Sequence, residues 1–180
     1  FTDDWAEDAA RRDFTINGLF WHPEKDELVD YVGGLPDIEK RLIRCIGNPV
    51  ERFEEDKLRV LRAIRFSSNL DFEIEEKTWD AVCDRTRFDL SVISRERIRV
   101  EFEKILTRPH TYKGLLLIEK AALKPFVLES HFFPPEEAYS SFLEKLLDHT
   151  FEIPLERALA FLYLGSSRLT REVSPEGLKS

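Results

Sequence analysis

The chain has 180 residues, of which 42% are hydrophobic, so it is long enough for one or two small domains with a buried core. Only seven glycines and many Leu, Arg, Lys and Glu residues favour helices and argue against an all-β fold. No run of about 18 apolar residues occurs, which excludes a membrane-spanning helix, and the net charge of −8 argues against a non-specific nucleic-acid-binding protein.

The cysteines and the first residues indicate a cellular location. Cys45 and Cys83 lie far apart and form no CxxC motif, so we expect neither a disulfide framework nor a zinc site. Both are interpreted as small apolar core residues. The first twelve residues are acidic rather than basic and apolar, unlike a secretory signal peptide. These features predict a cytoplasmic protein without a membrane partner.

The first 48 residues predict short helices and strands. In ARRDFTINGLFW (10–21), Thr15 is expected to cap the start of a short helix, although Asn17-Gly18 would also suit a hairpin turn. LVDYVGG (28–34) and LIRCIG (42–47) have the apolar, β-branched composition of strands, with a short helix expected between them.

From Val50 onwards the apolar spacing is mainly helical. DFEIEEKTW (71–79) is expected to begin extended, with Phe72 and Ile74 facing one way, and then to enter a helix. Ser94 is the expected N-cap of a later helix. The predicted fold class is therefore α+β and predominantly α-helical. The predicted helices cover residues 55–69, 75–86, 94–107, 111–121, 135–148 and 154–164.

Residues 54–66 read EEDKLRVLRAIRF and place two rows of side chains next to each other on the predicted helix. Leu58, Leu61 and Ile64 form an apolar row that a core explains. The polar row has two interpretations: a solvent-exposed face whose ion pairs contribute about 0.2–0.5 kcal/mol each, or a nucleotide-binding site. The polar row consists of Asp56, Arg59, Arg62 and Arg65.

The binding interpretation rests on hydrogen-bond geometry. A carboxylate accepts a hydrogen bond from an exocyclic amine, and a neighbouring guanidinium donates to the adjacent ring nitrogen or carbonyl. An Asp56–Arg59 pair would therefore match cytosine and adenine, which both present an amine beside an acceptor, and would reject uracil and guanine. Arg62 and Arg65 would then face phosphate or brace the aspartate.

Two further motifs also allow either a ligand-binding or a structural interpretation. In RRDF (11–14), Arg12 would clamp a triphosphate and Asp13 would accept from a ribose hydroxyl, or the two residues would belong to an ion pair at a helix start. Carboxylates alternate in DFEIE (71–75), but burial of the apolar residues between them explains that pattern, and we expect no metal ligands in this chain. The four histidines are dispersed, without metal-ligand or catalytic-triad spacing.

Four blocks of sequence, taken together, carry a family resemblance. They are ARRDFTINGLF, DYVGG-x₂-D-x₅-IR-x-IGNP, ERFEEDKLRVLRAIRF and SRERIRVEFEKIL, spread over about residues 5–125. Their order and approximate spacing resemble the class II tRNA nucleotidyltransferase and poly(A) polymerase family, in particular bacterial CCA-adding enzymes. The resemblance implies template-independent addition of C or A nucleotides from CTP and ATP to the 3′ end of tRNA or another RNA, with Mg²⁺ as cofactor.

The resemblance also implies roles for individual residues. Arg12 and Asp13 match the block that contacts the phosphate and ribose of the nucleotide, with Asn17 in a supporting position. Asp56 and Arg59 match the protein template that reads C or A. The remaining implied residues are the nucleotide-site arginines Arg62 and Arg65, and Glu96 and Arg97 in the block that supports the template helix.

In the family, a Gly-Gly-x-x-Arg-Asp segment and a metal-binding Asp-x-Asp pair precede the RRDFTIN block, and this sequence contains neither. We therefore expect Mg²⁺ to be bound by residues outside this chain, and the chain alone to be inactive. The implied architecture is the end of a nucleotidyltransferase head domain over 1–48, a helical neck with the base-reading helix over 49–110, and the start of a helical body over 111–180.

Several functions remain open at the level of sequence. The parent activity is CCA-, CC- or A-adding, or it is that of a poly(A) polymerase acting on diverse RNAs. An alternative from another class is a non-catalytic helical RNA-binding module. Residues 40–65 contain eight Lys or Arg and four acidic residues, which is compatible with an RNA backbone in each case.

Overall fold

The computed structural model describes residues 5–84 and 89–127. Within these ranges the fold is α+β and mostly helical, as predicted. Its helices are α1 Trp5–Arg11, α2 Gly34–Glu39, α3 Pro49–Glu55, α4 Arg59–Leu70, α5 Glu76–Cys83, α6 Arg95–Leu106, α7 Thr111–Lys120 and α8 Lys124–Val127. Its strands are β1 Leu19–His22, β2 Glu27–Asp30, β3 Leu42–Ile43 and β4 Glu73–Ile74, and 3₁₀ turns lie at Thr15–Asn17 and Leu90–Val92.

β1 and β2 form an antiparallel hairpin that pairs residues 19–22 with residues 27–30. The predicted helix starting at Thr15 is therefore wrong, since only a 3₁₀ turn precedes β1. The Thr15 hydroxyl does not cap this turn but donates to Asp37 Oδ2 at 2.7 Å. The aromatic residues that follow are also better suited to a half-buried strand than to a helix.

β3 and β4 pair in parallel and so connect the parts of the chain before α3 and after α4. The strand predicted over 42–47 is shorter than expected, since β3 contains only Leu42 and Ile43. Two residues further on, Cys45 forms an isolated antiparallel bridge with Phe14. The extended start of DFEIEEKTW is confirmed, and Phe72 and Ile74 both pack against the core as their alternation predicts.

The helix predicted over 55–69 corresponds to α4, which begins only at Arg59, and a break at residues 56–58 separates it from α3, a helix that was not predicted. Asn48 starts α3 by accepting a hydrogen bond from the backbone N–H of Val50, with Pro49 in the first turn. At the break, Asp56 is extended, with φ −144° and ψ 100°, and its Oδ1 accepts from the Leu58 backbone N–H at 3.2 Å. An aspartate that bonds to the backbone two residues ahead competes with helix continuation, so α4 begins only at Arg59.

The other predicted helices within the described residues are confirmed to within a few positions. Ser94 caps α6 by accepting from the backbone N–H of Arg97 at 3.5 Å, as expected. Helices predicted over 135–148 and 154–164 lie outside the described residues. Within those residues, no helix combines the length and the apolar character needed to cross a membrane.

α4 lies against both α6 and α7 and supplies the centre of the core. The predicted apolar row of α4 is buried, because Leu58 is 6% exposed and Leu61 and Ile64 are fully buried. α7 packs closely against α6 at Gly114, where an added Cβ atom would lie 2.4 Å from Ile105 Cγ2. The predicted core role also holds for Cys45, which is 3% exposed, and burial raises the pKa of its thiol to about 12.

Candidate functional site

A cleft of about 530 Å³ lies between the N-terminal segment and α4. Three stretches of chain line it: the end of α1 with the 3₁₀ turn that follows, the break before α4, and α4 as far as Phe66. Four arginines against two aspartates make the lining positive, although the chain as a whole carries a net charge of −8. The lining residues are Arg11, Arg12, Asp13, Asn17, Asp56, Arg59, Arg62 and Phe66.

Asp13 is the buried acid of this cleft, with 7% of its surface exposed. Its Oδ1 accepts hydrogen bonds from the Phe14 backbone N–H at 3.0 Å and from Asn17 Nδ2 at 2.8 Å. Its Oδ2 accepts from Arg62 Nε at 2.7 Å. Burial raises the pKa of Asp13, but the hydrogen bond from Asn17 and the charge of Arg62 outweigh it, so the pKa lies below its ordinary value. Asp13 is therefore an ionised carboxylate with its oxygens already engaged.

Glu101 of α6 contacts the arginines of α4 and is 4% exposed. Its Oε2 lies 2.7 Å from Arg65 Nε, and its Oε1 lies 3.8 Å from Arg62 Nη1 and 3.2 Å from Lys104 Nζ. The guanidinium carbon of Arg65 is 3.9 Å from the centroid of the Phe66 ring. Burial lowers the pKa of Arg65, and the charge of Glu101 offsets this only in part. One buried carboxylate thus contacts three cations.

Asp56 lies in the break rather than on a helix, and this changes its partner. Arg97 of α6 donates from Nη2 to both carboxylate oxygens of Asp56, at 3.2 and 3.0 Å. The expected pairing of Asp56 with Arg59 on one helix face is therefore wrong, because residues three apart adjoin only while the helix is continuous. Asp56 and Arg59 nevertheless both line the cleft.

Arg52 and Arg59 hold the carbonyl end of α1. Arg52 Nη2 donates to the backbone oxygens of Ala10, Arg11 and Arg12 at 3.3, 2.7 and 3.0 Å. Arg59 Nη2 donates to the Arg11 oxygen at 3.4 Å, and its Nη1 donates to the Arg52 oxygen at 3.0 Å. Cations are favourable at a helix C-terminus, where carbonyls lack intrahelical partners. Both guanidinium groups therefore fix the segment that leads into Asp13.

Arg12 is fixed by its own surroundings. Its Nη2 donates to Asp8 Oδ2 at 2.9 Å, its Nη1 donates to the Asn17 backbone oxygen at 3.1 Å, and its guanidinium lies 4.8 Å from the Phe20 ring centroid. Asn17 thus contacts both Arg12 and Asp13. With 42% of its side chain exposed, Arg12 is open to a ligand in the cleft.

Six of the nine residues predicted for the site line this one cleft. Arg65 lies behind it against Glu101, Arg97 contacts it through Asp56, and Glu96 is exposed in the first turn of α6. The six are Arg12, Asp13, Asn17, Asp56, Arg59 and Arg62.

Sequence reasoning missed Glu101 and Arg52. A signal for Glu101 existed, since it is a charged residue beside Ile98, Phe102 and Ile105 on the face of α6 that their spacing predicts to be buried. Arg52 left no comparable signal, because its partners are backbone carbonyls about 40 residues away.

The described residues contain no group of three or more His, Cys, Asp and Glu side chains placed to hold a metal ion. In the DFEIE segment, Asp71 contacts Arg41 at 2.9 Å and Lys113 at 3.3 Å, and Lys113 also contacts Glu73 at 2.7 Å. These carboxylates form ion pairs that join the segment around β4 to α7 and to Arg41, directly before β3.

The fold is that of the nucleotidyltransferase class, judged by solved structures that it resembles. The Bacillus stearothermophilus CCA-adding enzyme in complex with CTP aligns with a TM-score of 0.68 and 29% identity over 91% of this chain and 44% of that one. A tRNA nucleotidyltransferase complexed with a primer tRNA and an incoming ATP analog aligns with a TM-score of 0.69 and 31% identity over 81% of this chain and 43% of that one.

Sequence comparisons agree with this assignment. Residues 1–44 match the family model described as poly A polymerase head domain, and residues 71–132 match that described as probable RNA and SrmB-binding site of polymerase A. The chain belongs to the tRNA nucleotidyltransferase and poly(A) polymerase family.

Two curated relatives, both CCA-adding enzymes, show the extent of the match. The Streptococcus thermophilus enzyme is 45% identical over 123 residues, which are 67% of this chain and 30% of the relative. The Bacillus licheniformis enzyme is 50% identical over 106 residues, 59% of this chain and 26% of the relative. The match thus spans between a quarter and a third of the length of these relatives.

Proposed function

We propose that this chain supplies the nucleotide-selecting and RNA-binding parts of an enzyme that adds C and A nucleotides to the 3′ end of tRNA without a nucleic-acid template. The observation that carries the proposal is the positively charged cleft, in which the Arg12–Asp13 segment and the Asp56–Arg59 segment come together. The relatives and solved structures named as CCA-adding enzymes support it. We also propose that the protein acts in the cytoplasm, where tRNA is available.

In this function Asp56 and Arg59 read the base. Asp56 has 36% of its side chain exposed and offers carboxylate oxygens to the exocyclic amine of C or A. Arg59 offers guanidinium N–H groups to the neighbouring ring acceptor. Arg97 holds the Asp56 carboxylate in place from α6, as the supporting role implied by the family resemblance requires.

Arginines on both walls of the cleft bind the charged part of the nucleotide. Arg12 and Arg62 donate to phosphate oxygens, for which the planar guanidinium is well suited. Asp13 holds Arg62 by an ion pair and hydrogen bonds, and with its oxygens engaged it acts mainly through Arg62; contact with a ribose hydroxyl would require it to exchange a partner.

Phosphoryl transfer in this family requires charge neutralisation at the phosphates, which Mg²⁺ supplies. The described residues offer no donor set that fits a metal ion. We therefore place Mg²⁺ on residues outside the described segments and assign to this chain only binding, base selection and RNA contact.

The test offers labelled CTP, ATP, UTP and GTP in turn to the natural protein that contains this chain, with a tRNA lacking its CCA end and with an unrelated RNA. Incorporation of CTP confined to the tRNA supports a CCA- or CC-adding enzyme, and a single A added only after CC supports an A-adding enzyme. Long ATP-only tails on either RNA identify a poly(A) polymerase instead. RNA binding without incorporation of any nucleotide would contradict the proposal and would favour a non-catalytic RNA-binding module.

A further inference from the structure

A second cleft, of about 490 Å³, lies between the C-terminal half of α4 and the end of α6. Unlike the first cleft, its ionisable lining is entirely basic. It is lined by Arg65, Asn69, Lys104, Arg108 and Pro109.

Both clefts adjoin α4 and divide its arginines between them. Arg59 and Arg62 of α4 line the first cleft, and Arg65 lines the second. Residues 62 and 65 are separated along the helix axis by about 4.5 Å, at 1.5 Å per residue. Of the three arginines in the polar row, two therefore line the nucleotide cleft, and the last, Arg65, lines the second cleft.

Arg65 is held in a fixed position at the second cleft. Its side chain is 13% exposed, its Nε lies 2.7 Å from Glu101 Oε2, and its guanidinium stacks on Phe66. A side chain ordered before binding loses little conformational entropy when it contacts a ligand.

Two of the cations at the second cleft contact the same carboxylate. Arg65 and Lys104 share the carboxylate of Glu101, which also faces Arg62. Lys104 keeps 45% of its side chain exposed while contacting Glu101 at 3.2 Å. Two cations at the cleft thus share one buried carboxylate, which leaves a local positive charge for an external anion.

We propose that the second cleft holds a phosphate group of an RNA strand, separately from the nucleotide cleft, and this inference rests on the proposed function. Guanidinium and ammonium groups with a neighbouring amide are typical contacts to a phosphodiester. A triphosphate tail offers the same chemistry, but the acceptor and donor pair that would read a base lies in the first cleft. Lys104 and Arg108 also lie within the residues that match the RNA-binding family model.

The experiment measures binding of a labelled tRNA transcript and of CTP to the full chain between 50 and 200 mM KCl. The variants are Lys104→Gln and Arg108→Gln, and the matched control is Arg99→Gln, a residue of α6 that is 76% exposed and pairs with Glu103. Each cleft variant should weaken tRNA binding about fivefold near 150 mM salt and reduce the salt slope by about one, while CTP affinity stays unchanged. The control should leave both affinities unchanged.

Unaltered tRNA affinity and salt slope in both cleft variants would overturn the inference, as would a parallel loss of CTP affinity. A wild-type chain that binds CTP but no tRNA would also overturn it, and would leave the nucleotide cleft intact. A chain that binds tRNA through Lys104 and Arg108 but binds no CTP would support the phosphate site and contradict the proposed base-reading function.

Discussion

Asp56 combines two properties that make its proposed role testable at the scale of a single residue. It lies in a break between helices and is partly exposed, so little packing depends on it. Its carboxylate is also the acceptor on which selection of C and A is proposed to depend.

We expect Asp56→Ala to relax the preference for CTP and ATP over UTP and GTP by about ten- to a hundredfold, the range for loss of a charged hydrogen bond, without unfolding the chain. Relative affinities of the four nucleotides measure this. Asp80→Ala, which changes an exposed aspartate on α5, is the control. If the Asp56 variant kept the same preference among the four nucleotides, Asp56 would have no role in base selection.

Asp13 should make stability depend on pH. Its pKa is lowered in the folded state, so its contribution is complete above the unfolded value of about 3.9 and is lost as the pH falls through the lower folded pKa. Asp13→Asn should reduce the free energy of unfolding by about 1–3 kcal/mol at pH 7. Urea unfolding at pH 7 and near pH 3 should show the difference between wild type and variant shrinking in acid; a constant difference would contradict the assignment.

Among the elements, α1 depends on groups supplied from α3 and α4. Arg52→Met removes three hydrogen bonds to the α1 carbonyls, so we expect faster amide exchange in residues 5–11, unfolding free energy lower by about 1–3 kcal/mol, and weaker CTP binding. Arg99→Met, at an exposed i,i+4 pair, should change stability by less than about 0.5 kcal/mol. Unchanged exchange in α1 would show that the helix holds without Arg52.

The contact between α6 and α7 depends on Gly114. Alanine is a better helix former by about 1 kcal/mol, but at this position its Cβ would lie 2.4 Å from Ile105 and 3.1 Å from the Ser68 hydroxyl oxygen. Gly114→Ala should therefore destabilise the chain by about 1–3 kcal/mol. Chemical denaturation checks this against Lys120→Ala, an exposed change in the same helix. A stabilised Gly114→Ala variant would mean that the helices separate at little cost.

Sequence could predict these elements only where local signals decide the structure. The apolar rows of α4 and α6 and the cap at Ser94 follow from spacing and side-chain chemistry, whereas only the family resemblance implied that Asp13 and Arg62 belong to one site. The break at Asp56 was missed because helix spacing continues through it, and a single bond from Asp56 to the Leu58 N–H is enough to interrupt the helix. The roles of Arg52 and Glu101 depend on distant partners, which no local pattern records.

At the scale of the molecule, the expected boundaries near residues 48 and 110 do not interrupt the core. One cluster of buried side chains includes Phe14 and Ile43, continues through α4, and reaches Leu115 and Ile118 of α7. The parallel pair of β3 and β4 joins the first two segments through backbone hydrogen bonds as well.

We therefore expect the core elements β3, α4 and α7 to unfold as one unit. The slowest amides of β3, α4 and α7 should exchange with the same free energy of opening, because none of these elements keeps its buried face when the others separate. Native-state hydrogen exchange in low denaturant is the measurement. Two separate exchange isotherms, one for β3 and one for α7, would support independent units.

The hold of Arg52 on α1 has a consequence for the order in which the molecule assembles. Its partners are 40–42 residues away in the chain, so the carbonyls at the end of α1 gain these hydrogen bonds only after α3 has packed against α1. Closing the chain between Arg52 and α1 costs entropy, which opposes early formation of these hydrogen bonds. We therefore expect Arg12 and Asp13 to reach their final positions late in folding, and α1 to open locally before the core elements do. A nucleotide bound in the cleft would oppose that opening and slow amide exchange in α1 more than in α7.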